Sequence, residues 1–378
     1  MSRKKDNSCC VKKTSIGGQA LMEGIMMRGP ETTAMAVRNT QGEIVLEKFA
    51  TQTKKRHKFF SLPIIRGLFN YIDSMAMGTK CLMRSAEISG LEEAEEELRR
   101  EKEAKKAAKA AKKAEKKGIS AESSNNTASE ESDRETKEEK TEKKDGSAAT
   151  AIVMTLGTIL GIALSIGLFF ILPTFIFSGL ASFIPALKPD NTAAASLIQS
   201  AIEGVIKLIL IVGYMALMIL LKDIRRTFQF HGAEHKTIFC YEAGLELTVE
   251  NVRKQRRFHP RCGTSFLILM IIVSIFIGFF ITPFYVLVLG EDTINELGPA
   301  LMNVIRALTK ILLIPLIVGI GYELIKIAGR HDNWITRIIS APGVWLQHIT
   351  VLEPDDSMIE CAIVAMKEVI PENDSDKW

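Results

Sequence analysis

Residues 263–290 read GTSFLILMIIVSIFIGFFITPFYVLVLG and contain no Asp, Glu, Lys or Arg. A helix of about 20 apolar residues crosses the hydrocarbon core of a bilayer, so this stretch is long enough to span a membrane. A second charge-free run covers residues 146–187, and two further apolar segments cover about 196–221 and 299–325. The pattern predicts a mainly α, integral membrane protein with four transmembrane helices in a body at residues 148–330.

The first charge-free run is too long for one spanning helix. We expect Pro173 to end or kink its spanning part, with residues 176–187 at the membrane interface. The segments at 196–221 and 299–325 carry four charges in their first halves, and Glu323 lies at the far end of the second segment. A metal transporter needs ionisable residues facing inward at mid-membrane, and the charge-free runs do not provide them, so we disfavour that function. The charged residues in question are Glu203, Lys207, Arg306 and Lys310.

The distribution of Lys and Arg between the loops predicts the orientation. The segment before the first span and the loop at 222–262 are rich in basic residues, whereas the other two loops are poor in them. Basic loops stay in the cytoplasm, so we expect a multi-pass protein with both termini cytoplasmic. The net charge of +4 is accounted for by anionic lipid at that surface, and no specific nucleic-acid partner is expected.

The sequence outside the spans divides by composition. Residues 14–60 predict a small cytoplasmic β unit, because 33–38 and 43–49 alternate around the turn signal at 39–42. Residues 61–90 predict an amphipathic interfacial helix, with Arg66, Asp73 and Lys80 seven residues apart on one polar stripe. Residues 91–147 predict a charged helix followed by a disordered linker. Residues 331–378 predict a cytoplasmic C-terminal segment with a terminal helix.

The basic loop at 222–262 holds the residues that carry chemistry. His231-Gly-Ala-Glu234-His235 places two imidazoles one helical turn apart on the same face, a spacing that binds zinc and other divalent metals. Glu234 lies beside them, where a carboxylate can take a proton from water. We therefore predict His231 and His235 as metal ligands and Glu234 as the catalytic base.

A second candidate set follows in the same loop. His259 and Cys262 offer an imidazole and a thiolate with two residues between them, a common ligand spacing. His231 and His235 with either His259 or Cys262 would leave an open catalytic position, whereas all four ligands would close a structural site. The alternative is that these histidines only form hydrogen bonds with backbone or headgroups at a membrane boundary.

Several of these motifs together resemble the YqhQ-like bacterial membrane family. The matching stretches are Gly17 to Pro30, His231 to Lys236, His259 to Thr264 and Glu353 to Asp356, within a resemblance that covers about 14–370 without the charged 91–147. That family has no known function and is described in general terms as a predicted metal-dependent enzyme. The resemblance implies a protein of the bacterial plasma (inner) membrane and supplies no substrate.

Two classes of function remain open from the sequence. The first is a metal-dependent membrane hydrolase with a zinc-like site on the cytoplasmic face, acting on a membrane protein or a lipid-linked group. The second is a non-catalytic membrane scaffold or biogenesis factor in which the histidine cluster is structural. The sequence predicts the lipid bilayer as a partner in both cases and does not indicate the oligomeric state.

Overall fold

The computed structural model describes residues 12–51, 58–90, 156–157, 159–187, 193–331 and 333–377. Residues 1–91 and 173–378 form one compact unit, and residues 92–172 form another. The charged helix and linker predicted at 91–147 lie outside the described residues, so that prediction stays open, as do the predicted domain boundaries.

The N-terminal unit is a four-stranded antiparallel sheet in the order β1-β2-β3-β4. Its strands are β1 (Gly17–Leu21), β2 (Gly24–Arg28), β3 (Thr32–Arg38) and β4 (Ile44–Ala50). The predicted hairpin is confirmed as β3 and β4, with Arg38 opposite Ile44. The Gly- and Met-rich stretch before it was not assigned to strands, yet it forms β1 and β2. Glycines weaken a strand signal in sequence, and packing on both faces outweighs that weakness here.

Ten helices follow among the described residues. The first is α1 (Ile65–Ile88), and the apolar ones are α2 (Leu172–Phe183), α3 (Ala193–Met218), α6 (Gly263–Leu289), α7 (Glu291–Leu312) and α8 (Ile314–Arg330). The others are α4 (Lys222–Glu242), α5 (Val249–Arg253), α9 (Trp334–Thr350) and α10 (Asp356–Lys367).

Three helical stretches are long and apolar enough to cross a membrane: Ile159–Phe183, Leu197–Met218 and Gly263–Leu289. A fourth crossing exists only if α7 and α8 count as one broken span, because Leu301–Leu312 and Ile314–Ala328 meet at 48°. The single straight helix expected at 299–325 is therefore replaced by two helices that join at Leu313. Pro173 does not end the first span, since the helix runs on to Phe183.

One hydrophobic core joins the sheet to helices from distant parts of the chain. The sheet contributes Ile25, Met27 and Ala34, and α4 contributes Phe230 and Ala233, all at most 2% exposed. The C-terminal helix α10 fills the remaining side with Met358, Ile359, Ala362 and Met366. Because residues 16–36, 230–252 and 358–369 share this core, the histidine motif on α4 is held on a folded body.

Helix α1 packs along α8 through polar contacts. Arg66 forms a bidentate ion pair with Glu323, and Asn70 donates to the Tyr322 hydroxyl at 2.9 Å. Its opposite face exposes Ile72, Met75 and Met83. The predicted helix is thus present, with Arg66 and Asn70 directed at protein and an apolar face directed outward.

Candidate functional site

The two motif histidines lie one turn apart on α4 with their ring centroids 4.5 Å apart. Nδ1 of His231 lies 3.0 Å from the Thr350 carbonyl oxygen, and Nδ1 of His235 lies 2.6 Å from that of Arg257. A carbonyl only accepts hydrogen bonds, so each Nδ1 carries the proton and each Nε2 keeps a lone pair. Backbone carbonyls that hold Nδ1–H in this way are the usual support of metal-binding imidazoles.

Gly232 explains how Thr350 comes so close to α4. A Cβ at Gly232 would lie 1.9 Å from the carbonyl oxygen of Leu352, so the chain leaving α9 crosses α4 in direct backbone contact. Leu352 also donates its N–H to the carbonyl of Phe228 at 2.9 Å. The glycine inside the His231–His235 motif is therefore needed for the close approach that orients His231.

Cys262 completes a three-ligand group with the two histidines. It is the N-cap residue of α6, and its Sγ lies 3.1 Å from His231 Nε2. The Thr264 N–H and hydroxyl both donate to this sulfur, at 3.4 and 3.3 Å. One ligand atom from each of His231, His235 and Cys262 lies within 4.8 Å of the other two. The three buried or half-buried groups therefore converge on one point.

Glu234 lies next to this group and is buried. Burial raises the pKa of its carboxyl above the usual value, although nearby His231 and a hydrogen bond from the Gly18 backbone oppose the shift. A Cβ at Gly18 would lie 3.0 Å from the Glu234 carboxyl carbon and 2.7 Å from the Met26 carbonyl oxygen. Strand β1 thus supplies a glycine whose backbone reaches the carboxylate, and a raised pKa suits a proton-transfer group.

His259 is close to His235, with ring centroids 5.6 Å apart, but its nitrogens have other neighbours. Nδ1 accepts the Arg261 N–H at 3.2 Å, and Nε2 lies 3.8 Å from a Glu242 carboxylate oxygen. Burial lowers the pKa of His259 to about 4 despite the neighbouring Glu242 carboxylate. The structure therefore brings His231, His235 and Cys262 together as one set and places the neutral His259 ring beside them.

Both basic residues next to the motifs are neutralised by carboxylates. Lys236 is buried and pairs with Glu353, and it also donates to the Arg253 carbonyl at 2.8 Å. Arg261 pairs with Glu242 and donates to the Thr14 carbonyl at 2.8 Å. These cations do not face the ligand group as free charges, so they do not oppose a bound metal ion.

The remaining acidic motif has a structural position. Asp355 is the N-cap of α10 and accepts the Met358 N–H at 3.0 Å, while Asp356 pairs with Arg253. This acidic group therefore caps and anchors α10 and does not face the histidine–cysteine site. In the N-terminal motif, Glu23 pairs with Arg226.

A cavity of about 160 Å³ opens onto the ligand group. Strand β1 and the residues before it form one wall, and α4 with the start of α6 forms the other. The lining residues are Thr14, Ser15, Ile16, Gly17, Gly18, His231, Glu234, His235, Ile238, His259, Arg261, Cys262 and Gly263. The volume suits water and a small part of a larger substrate, so the three ligand atoms and Glu234 face a reachable space.

Sequence reasoning missed three residues that hold the site. Gln347, on α9, accepts the His259 N–H at 2.7 Å and donates to the His259 carbonyl at 2.7 Å. Glu242 accepts the Thr14 N–H at 3.0 Å and pairs with Arg261. Gly18 approaches Glu234. Only Gly18 carried a signal, as a glycine in a quoted motif, because the other contacts join residues more than 80 positions apart or depend on the exact end of α4.

Comparisons with known proteins agree on the family. The model of a protein family of unknown function, DUF1385, matches residues 62–372. The "Uncharacterized protein YqhQ" of Bacillus subtilis (strain 168) is 32% identical over 358 residues, which cover 94% of this chain and 92% of the relative. No solved structure matches the chain.

Proposed function

The chain belongs to the DUF1385 family of unknown function, and we propose that it is a metal-dependent membrane hydrolase with His231, His235 and Cys262 as metal ligands. The observation that carries the proposal is the convergence of these ligand atoms, with both Nδ1 atoms held by backbone carbonyls. Two imidazoles and one thiolate form a set that zinc accepts at catalytic sites, where a fourth position stays open.

The residues fit a zinc ion in their protonation as well as in their spacing. His231 Nε2 has a lone pair, so the Cys262 thiol hydrogen points toward it across 3.1 Å. Holding a metal would require that proton to leave to solvent through the cavity, because His231 Nε2 must stay unprotonated to serve as a ligand. When bound, zinc supplies Lewis acidity that brings the pKa of water toward about 7.

Glu234 supports the hydrolytic assignment as the proton acceptor. Its pKa is raised by burial, which makes its carboxylate a stronger base than an exposed one. The Gly18 backbone forms a hydrogen bond with the carboxyl group, and Glu234 lines the cavity. Glu234 can therefore hold a water molecule at a carboxylate oxygen and accept its proton.

We propose the plasma membrane of a bacterium as the location, with α7 and α8 forming one broken crossing and both termini cytoplasmic. The basic loop at 222–262 supports this orientation. The site lies on the segment between two spans, Leu197–Met218 and Gly263–Leu289. A substrate at that surface is either a membrane-protein segment or a lipid-linked group.

The contact between His231 and Cys262 favours a second candidate. A cysteine at a helix N-cap with an imidazole at 3.1 Å is the arrangement of a thiol nucleophile and its base. The same residues would then act covalently without a metal. The scaffold alternative needs neither a bound metal nor a reactive thiol. Metal content and thiol reactivity together therefore distinguish the metal-dependent hydrolase, the thiol enzyme and the scaffold.

The test is the metal content of the purified full-length protein, measured by mass spectrometry after exchange into metal-free buffer and addition of zinc. We expect about one zinc per chain, its loss in His235→Ala and Cys262→Ser, and its retention in Glu234→Gln. His348→Ala removes an exposed histidine outside the site and serves as the matched control. Absence of zinc together with rapid iodoacetamide labelling of Cys262 would overturn the metal-dependent hydrolase and support the thiol enzyme. Absence of both zinc and rapid labelling would support the scaffold.

A further inference from the structure

Four charged side chains lie buried among the apolar helices, away from the histidine–cysteine site. Glu203 and Lys207 are on α3, within the candidate span Leu197–Met218, and Arg306 and Lys310 are on α7, within Leu301–Leu312. Their exposures are 2%, 8%, 7% and 11%.

A network of polar contacts connects α3 and α7. Lys310 pairs with Glu203, and Gln199 donates to another Glu203 oxygen at 2.9 Å. The Gln199 carbonyl oxygen accepts Arg306 Nη1 at 3.4 Å. One turn before Arg306, Asn303 donates to Ser178 on α2 at 2.9 Å. These residues form a polar seam between apolar helices, which we call the intramembrane cluster.

The intramembrane cluster contains donors that the described part of the protein does not satisfy. Arg306 Nε and the Thr174 hydroxyl are buried without a hydrogen-bond partner among the described residues. Thr174 lies one turn from Ser178 on α2, on the side that Asn303 contacts. A buried unsatisfied donor costs free energy, more so when it belongs to a charged group, so Arg306 is not explained as a contact that only joins helices.

The net charge of the cluster also indicates that an anion binds there. Glu203 pairs with Lys310, whereas Arg306 has the Gln199 amide and no carboxylate as its hydrogen-bond partner among the described residues. The Glu203–Lys310 pair would by itself tie α3 to α7. The excess positive charge in an apolar environment is stabilised by an anion. The helix break at Leu313 lies three residues after Lys310. In membrane proteins, broken helices of this kind often form binding sites for polar ligands.

We propose that the intramembrane cluster binds a phosphate group, with Arg306 as its main ligand and Thr174 as a second donor. A guanidinium group matches phosphate oxygens with two parallel hydrogen bonds, and a bilayer surrounds these helices with phosphodiester headgroups. The inference rests on the proposed membrane location, but it does not depend on a metal at His231, His235 and Cys262.

The experiment measures lipid retention by the full-length protein with native mass spectrometry. The protein is exchanged into detergent containing equal amounts of phosphatidylglycerol and phosphatidylcholine. We expect one retained phosphatidylglycerol, with a preference of about tenfold that Arg306→Gln removes, since a charge-assisted hydrogen bond contributes on that scale. Arg306→Lys should keep part of the preference. Arg225→Gln removes an exposed arginine from α4 and should leave the preference unchanged.

A competition arm separates the two sources of phosphate. Displacement of phosphatidylglycerol by millimolar inorganic phosphate would support the phosphate site and assign it to a soluble anion. Equal retention by wild type and Arg306→Gln, or equal retention of the two lipids, would overturn the proposal. Size-exclusion profiles of the variants show that they are folded. Zinc content measured on the same samples reports on the metal site separately, so the two proposals fail independently.

Discussion

Arg261 and Arg306 are both largely buried arginines, and their surroundings differ. Arg261, beside the histidine–cysteine site, pairs with Glu242 and donates to the Thr14 carbonyl. Arg306, in the intramembrane cluster, reaches only the Gln199 amide at 3.4 Å, and its Nε has no partner among the described residues. The first arginine is part of the folded structure's own charge balance. The second has donors left over, which is the condition under which a buried charge binds a ligand.

Arg261→Gln should have the largest effect on stability. It leaves the Glu242 carboxylate buried without its cation, and breaking a buried pair in this way costs about 3–5 kcal/mol. Chemical denaturation in detergent, followed by circular dichroism, measures the loss. Lys254→Gln breaks an exposed pair with Glu250 on the same segment and should change nothing measurable. A small loss for Arg261→Gln would show that the pair does not hold the site, and the comparison with Arg306 would fail.

The same pair predicts how stability depends on pH. Burial favours the protonated form of Glu242, but the neighbouring His259 ring and the charge of Arg261 prevail and lower its pKa to about 2. A lowered pKa gives stability that is present above the unfolded value of 4.5 and lost as pH falls from 4.5 to 2. The loss over this window is about 3 kcal/mol. In Glu242→Gln, the denaturation midpoint should depend less on pH between pH 4.5 and 2. The same pH dependence in this variant and in the wild type would contradict the assignment to Glu242.

Gly18→Ala tests the wall of the site that does not depend on charge. The new methyl group would meet the Met26 carbonyl oxygen and the Glu234 carboxyl carbon, and overpacking of this kind costs about 1–3 kcal/mol. Gly17→Ala is the matched control, because a Cβ there has no atom within 4 Å. Thermal unfolding of both variants measures the difference. Equal melting temperatures would mean that β1 does not press on Glu234.

The sequence predicts the two regions unequally well. Periodicity and charge-free runs reveal the long apolar helices, and the motif spacing places His231 and His235 on one face of α4. The partners of the site histidines could not be predicted, because Thr350, which contacts His231, and Gln347, which contacts His259, lie more than 80 positions away from them in the sequence. The apolar segments were also expected to carry their charges toward one end, whereas Glu203 and Arg306 are buried where α3 and α7 meet. Burial depends on which helices become neighbours, and a single sequence does not specify that.

Arg306→Met should have the smallest effect on stability, and with the opposite sign to Arg261→Gln. The substitution removes a buried charge that lacks a carboxylate of its own and replaces it with an apolar side chain of similar length. In a zwitterionic detergent without anionic lipid, we expect the free energy of unfolding to stay unchanged or to rise by about 1 kcal/mol. A residue kept for binding is replaced without loss of stability, whereas one that holds the fold is not. A loss of stability as large as that of Arg261→Gln would show that Arg306 stabilises the fold. The two arginines would then have the same role, and the contrast between them would be wrong.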